Sequence, residues 1–138
     1  MRGVMRTWIA IVLVALPSGL CIAQSAPGTT NLGCHGTYSN YASADIRETP
    51  VSGIYIQVSN DSVKVQGAAG LDATYTVINR QDNGVGFQLD SNKAFSGFLN
   101  RFSGQLSLME RAGAVNADGS FQTRQILNAV CTKASAIF

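Results

Sequence analysis

The sequence predicts an all-β domain: an antiparallel up-and-down meander of seven or eight strands, closed as a small barrel in preference to a sandwich. Three observations predict it. Apolar residues alternate in short runs, the period of a strand with one buried face. Turn residues interrupt those runs about every ten positions, as in sandwiches and barrels. Cysteines stand near both ends of the series, at Cys34 and Cys131.

The chain has 138 residues, and its beginning differs from the rest. Residues 1–6 carry Arg2 and Arg6 and no acid, residues 7–16 (TWIAIVLVAL) are almost wholly apolar, and Pro17-Ser18-Gly19 breaks the run. Cys21 and Ala23 then place small residues at the −3 and −1 positions for cleavage after Ala23. A basic start, an apolar stretch and a small-residue cleavage site in that order predict a signal peptide over residues 1–23. The apolar stretch is short for a membrane anchor, which needs about 20 residues. Leu20 stands where lipidation of Cys21 would call for a small residue. Residues 24–32 (QSAPGTTNL) are small and polar and read as a flexible lead-in to a single β domain over residues 33–138.

Cleavage changes the charge that matters. The full chain carries ten basic and eight acidic side chains, a formal +2. Arg2 and Arg6 leave with the signal, so the exported domain holds eight of each and is formally neutral. Scattered charges with no net excess offer no basic stripe, so a nucleic-acid partner is not expected.

Within the domain, residues 52–59 place Ile54, Ile56 and Val58 on one face, and Val63 and Val65 resume the alternation after Asn60-Asp61. Asn60-Asp61-Ser62 is also a formal glycosylation sequon, a triplet that serves equally well as a turn. Tyr75 and Val77 share a face in residues 73–80. Asp82-Asn83-Gly84 marks a tight hairpin, because Asn-Gly tolerates positive φ. Val85, Phe87 and Leu89 alternate next, Asp90-Ser91-Asn92 turns into residues 93–99, and Leu106 and Leu108 follow in residues 104–111. Asn116-Ala117-Asp118-Gly119 turns into the last segment, residues 120–131. That segment fits a helical face through Leu127, Val130, Cys131 and Ala134, or a strand face through Leu127, Ala129 and Cys131. Its context favours the strand. The strands read as mostly 5–8 residues long, below the roughly 9–11 a membrane-spanning strand needs, and no aromatic girdle is evident. Phe138 follows Ala136, Ala134 and Thr132, a poor lipid-facing strand. Integral membrane insertion of the mature chain is therefore not expected.

Of three cysteines, Cys34 and Cys131 remain after cleavage. In an oxidising compartment such a pair predicts a disulfide. A disulfide needs Cα atoms within about 7 Å, so the first and last strands must meet, which favours closure.

Candidate chemistry is sparse. His35 is the only histidine and reads as a surface or edge-strand residue, with no nucleophile or carboxylate marked for it. Residues 116–120 resemble part of a calcium loop, but Ala114 and Gln125 fill the first and last ligand positions. They read as a hairpin turn with Gly119 at positive φ. Zinc is no better supported, and no metal or cofactor is expected.

The most distinctive stretch is residues 95–110, FSGFLNRFSGQLSLME, which reads as two strands joined at residues 100–103 with Arg101 near the tip. It resembles small exported bacterial proteins of uncharacterised function, in which a G-x-L-[DN]-R-x-[ST]-G-x-L hairpin lies between two terminal cysteines. The resemblance covers residues 34–131. It implies a β fold and a periplasmic or secreted location, with no reaction attached.

The expectation for function is an exported, non-enzymatic module that binds a small molecule or another protein. Arg101, Tyr38, Tyr41 and Tyr55 form the candidate binding surface, tyrosine offering contact area with a polar handle. The alternatives are a small hydrolase using Asp45, Glu48 or Glu110, and a barrel associated with the outer membrane. A filled barrel interior would move function to the outer surface and loops; a hollow one would imply an enclosed ligand.

Overall fold

A computed structural model describes residues 28–42 and 45–134. The expected signal peptide and its cleavage site, residues 24–27 of the lead-in, and Phe138 lie outside the described residues.

Eight antiparallel strands follow one another around a closed barrel in the order of the chain. They are β1 (Thr30–Asn40), β2 (Glu48–Val58), β3 (Ser62–Gln66), β4 (Ala73–Gln81), β5 (Gly84–Gln88), β6 (Phe95–Asn100), β7 (Gln105–Val115) and β8 (Phe121–Lys133). The last segment is a strand, as its context suggested. The first begins at Thr30, so residues 30–32 of the expected lead-in belong to the sheet.

Closure comes from β1 and β8, which pair over nine positions from Leu32↔Lys133 to Asn40↔Gln125. The disulfide Cys34–Cys131 crosses that seam between directly opposed residues, with Cα atoms 4.1 Å apart. Both sulfurs face the core, since the two residues are 4% and 6% exposed. The staple therefore ties the two chain ends at the position where the barrel closes.

The alternation in the sequence becomes the inner face. Ile54, Ile56, Val63, Val65, Tyr75, Phe87, Leu106, Leu108 and Leu127 are all 2% exposed or less and pack in one cluster. The interior is filled by side chains. Tyr75 and Phe87 meet edge to face at 5.4 Å. Gly97 makes room for them, because a Cβ there would lie 2.5 Å from the Phe87 ring. On the outer wall Lys64, Thr74, Asn128 and Thr132 point to solvent, with Ile78 and Val130 as exposed apolar residues among them. Apolar inside and polar outside is the reverse of the pattern of a lipid-embedded barrel.

Two expectations need correction. The strands are not mostly 5–8 residues: β1, β2 and β7 have eleven and β8 has thirteen, against five in β3 and β5. The start of β2 (ETPV) is largely polar and the end of β7 (AGAV) is small and without alternation, so periodicity did not mark them. β2 pairs with β3 only over residues 55–58, which leaves its start unpaired on that side. Pro50 is tolerated there because no partner needs its missing N–H. A bulge opposite His35, with Gly53 at φ +73°, separates the two parts of β2. The second correction is the mechanism of the Asp82-Asn83-Gly84 hairpin. Its position is right, with Gln81 paired to Gly84, but the positive φ values fall elsewhere in the chain. Gly84 is needed for space instead, since a Cβ would meet the Leu99 carbonyl and the Phe98 ring at 2.4 Å.

The two ends of the barrel differ. Turns at one end are short: residues 59–61, 82–83 and 101–104, alongside the entry of β1 and the exit of β8. The other end carries longer connections, and one of them, a single 3-10 turn at Ala69–Leu71, lies over it with Leu71 buried. We call these the open and the capped end.

Candidate functional site

The β6–β7 hairpin at the open end is built by local hydrogen bonds. The Asn100 side-chain oxygen accepts from the backbone N–H groups of Phe102 (2.9 Å) and Ser103 (3.0 Å). Gly104 takes φ +71°, and its carbonyl accepts from the Cys131 N–H at 2.8 Å. A Cβ on Gly104 would lie 2.3 Å from the Cys131 carbonyl, so only glycine allows that approach. Leu99 and Leu106 anchor the hairpin in the core. Through Gly97, Leu99, Asn100, Gly104 and Leu106, the distinctive sequence pattern is thus explained by folding.

Arg101 is the exception. It is exposed, and its guanidinium sits 5.7 Å from the ring of Phe102, itself 78% exposed. Bonding to turn carbonyls falls to Arg80 instead, which donates to the carbonyls of Ser59 and Asn60. The side chains of Arg101 and Phe102 therefore stand out from the rim, and only their backbone N–H groups help to hold the turn.

Beside them lies a depression of about 740 Å³ across the open end. Its floor is apolar: Leu32, Val58, Val85 and Leu99, with Cys131 of the disulfide. Leu32, Val58 and Val85 face the core yet remain partly exposed, because no turn among the described residues folds over the open end. Among the described residues three cations line the depression, Arg80, Arg101 and Lys133, and no carboxylate does. Asp61 and Asp82 lie on the adjoining turns, Asp61 accepting a hydrogen bond from the Ser59 hydroxyl.

The capped end holds most of the acids, including Asp45, Glu48, Asp72 and Glu110. Asp72 accepts from the N–H groups of Gly67 (3.0 Å) and Ala68 (2.5 Å), fixing the turn in which Ala69 takes φ +53°. Tyr75 donates to the Leu71 carbonyl at 2.6 Å, and burial, aided by the charge of Asp72, pushes its hydroxyl up to about 12. Glu110 is 8% exposed and is satisfied by Gln125 (2.7 Å) and Arg124 (3.3 Å).

The remaining candidates are dispersed. Tyr38 is half-buried against the core and its hydroxyl donates to Gln125 at 2.5 Å, which corrects its assignment to an exposed surface. Tyr41 is exposed beyond the capped end, and Tyr55 is half-buried on the outer wall. Neither shares a surface with Arg101 or with the other. His35 is exposed on β1 and lines an outer trough with Thr37, Phe98, Gln105, Asn128 and Val130, a lining without carboxylates. Asp45 pairs with the exposed Arg47 at 3.9 Å. In the residue 116–120 turn Gly119 takes φ +82° as expected, and Asp118 accepts from the Ser120 hydroxyl (2.6 Å) and N–H (2.9 Å), which lowers its carboxyl below the usual range. Among the described residues, no group of three or more His, Cys, Asp or Glu side chains is placed to hold a metal ion. No helix among them is long and apolar enough to cross a membrane.

Sequence reasoning missed Phe102 and Lys133. Phe102 lies outside the alternating pattern, and Lys133 reaches the site because antiparallel pairing of β7 with β8 returns the exit of β8 to the β6–β7 hairpin. The cysteine pair and the strand order do compare with an export-compatible, stapled barrel, but no family model, curated protein or solved structure matches the chain.

Proposed function

We propose that this protein is an exported, non-enzymatic binding module, periplasmic or extracellular after cleavage near Ala23, and that it binds through its open end. The observation that carries the reading is the contrast between a filled interior and an exposed Arg101–Phe102 pair beside an uncovered apolar floor. Binding sites are concave and join apolar surface to convergent polar groups, and the open end sets an apolar floor beneath a polar, partly cationic rim. The buried Cys34–Cys131 bond supports export, because such bonds persist in oxidising compartments. The balanced charge and the polar outer wall support a partner that is a small molecule or a protein, rather than nucleic acid or a lipid interior.

Two measurements test the reading. Intact mass of the exported protein is expected to show a chain beginning at Gln24 with no free thiol; an uncleaved chain with reduced cysteines overturns export. Immobilised protein and its Arg101→Gln, Phe102→Ser variant are then compared on cell-envelope and medium extracts. A ligand retained at least about tenfold better by the natural protein is expected, the loss of one charged hydrogen bond and one aromatic contact being worth that or more. Equal retention, or none, overturns binding at the open end.

A further inference from the structure

We infer that the open end binds the acidic headgroup of a single-chain amphiphile: a carboxylate or phosphate held by Arg101 and Lys133, with its apolar chain laid across Leu32, Val58 and Val85. The inference rests on the open-end reading above and names its ligand class.

Charge complementarity selects the head. Among the described residues every ionisable side chain lining the depression is a cation, whereas most carboxylates lie at the capped end. Arg80 already donates to two carbonyls, which leaves Arg101 and Lys133 as the cations free to turn toward a ligand. An arginine fork can take two oxygens of a carboxylate or phosphate, and a lysine ammonium adds a movable point charge. The two approach from neighbouring elements, the β6–β7 hairpin and the exit of β8, which the Cys131 N–H to Gly104 carbonyl bond holds side by side, so one acidic group at that side of the mouth can meet both.

Shape and polarity select the rest. Leu32, Val58 and Val85 are inward-facing positions that the described residues leave partly exposed. Covering such surface with an apolar chain removes it from water, which is the general driving force for burial. The filled interior stops the chain at Leu99 and the disulfide, so the chain lies across the mouth rather than down the axis. Phe102 supplies an apolar wall at the rim. A depression of about 740 Å³ falls within the usual range for small-molecule sites, roughly 300–1,000 Å³.

The test uses the exported, disulfide-bonded protein and monomeric decanoate, decyl phosphate and decyltrimethylammonium, with acetate and inorganic phosphate as headgroups alone. Methyl resonances of Leu32, Val58 and Val85 are followed by NMR. Saturable shifts with decanoate or decyl phosphate are expected, the better of the two identifying the head. Arg101→Gln and Lys133→Gln should each weaken binding about tenfold, and decyltrimethylammonium should bind at least tenfold more weakly. The headgroups alone should leave the methyl groups unmoved. Equal binding of the cationic amphiphile, shifts confined to other residues, or indifference to both substitutions overturns the proposal. So does cosedimentation with phosphatidylglycerol vesicles without binding of the monomeric anions, which would make the open end a membrane-docking surface. If these ligands fail while the extract experiment still yields an open-end ligand, the module reading stands and only the ligand class falls.

Discussion

The two ends of this barrel solve the same problem in opposite ways. A closed sheet removes edge strands but leaves two circular openings onto its apolar interior. At the capped end the chain covers the opening with its own residues: Leu71 is buried, Tyr75 ties to the Leu71 carbonyl, and Glu110, Gln125 and Tyr38 satisfy one another. At the open end the turns are too short to fold over, and the apolar side chains beneath them stay partly exposed. Polar groups at the capped end are spent on the fold. At the open end Arg101 and Lys133 are not. Side chains that hold the structure together, at either end, are expected to tolerate little change, and Arg101 and Lys133, which do not, are expected to tolerate much.

The largest effect should come from the bond that closes the seam. Cys34 and Cys131 are 97 positions apart, and in the chain-entropy model a loop of about 100 residues contributes roughly 4–5 kcal/mol. Net stability for a domain of this size is about 5–15 kcal/mol, so reduction should lower the denaturant midpoint steeply. Hydrogen exchange would sharpen the comparison. The seam at Leu32–Cys34 and Cys131–Lys133, beside the uncovered mouth, should lose protection before the Tyr75–Leu71 contact does. Simultaneous loss at both ends would mean that the cap depends on the staple.

How much of this was legible in the sequence differs between the ends as well. The barrel itself was readable, because alternation at Ile54, Ile56, Val63 and Val65 fixes an inner face and the terminal cysteines require the first and last strands to meet. The hairpin turns were readable in position. The cap was not: residues 67–72 (GAAGLD) carry no alternation, and their conformation depends on Asp72 reaching back to two N–H groups. Tyr38 was misassigned because β1 (TNLGCHGTYSN) has too few apolar residues to show which way it faces. Arg101 could be picked out by its place in a hairpin tip. Its companion Lys133 could not, since their proximity depends on the register of β7 against β8, which the spacing does not show.

A middle-sized effect tests the cap directly. The Tyr75 hydroxyl ionises near 10 in an unfolded chain and at about 12 in the folded one, so folding favours the neutral form. The stability this contributes is full below pH 10 and is lost as pH rises through 12, up to about 2.7 kcal/mol for two units. Tyr75→Phe removes the hydrogen bond to Leu71, costing about 1 kcal/mol at neutral pH. The same substitution should flatten the alkaline fall in stability between pH 10 and 12. An alkaline limb of unchanged size in the variant would assign that fall to other groups and would leave the cap without its ionisable latch.

The smallest effect is expected where the structure asks least of its side chains. Arg101→Gln and Phe102→Ser alter two exposed side chains that hold no turn, while Asn100 and Gly104, which do, remain in place. Surface changes away from caps, cores and buried networks shift stability by no more than about 0.5 kcal/mol. Urea midpoints of the natural and doubly substituted proteins should therefore coincide within that margin. Gly104→Ala, two positions further on, forces a Cβ against the Cys131 carbonyl at a positive φ and should destabilise by more than 1 kcal/mol. A large loss from the Arg101 and Phe102 changes would show that the tip is part of the scaffold. Coincident midpoints would mean that this exposed aromatic–cation pair does nothing for the fold that carries it, which is the condition under which a binding role explains why the open end presents it.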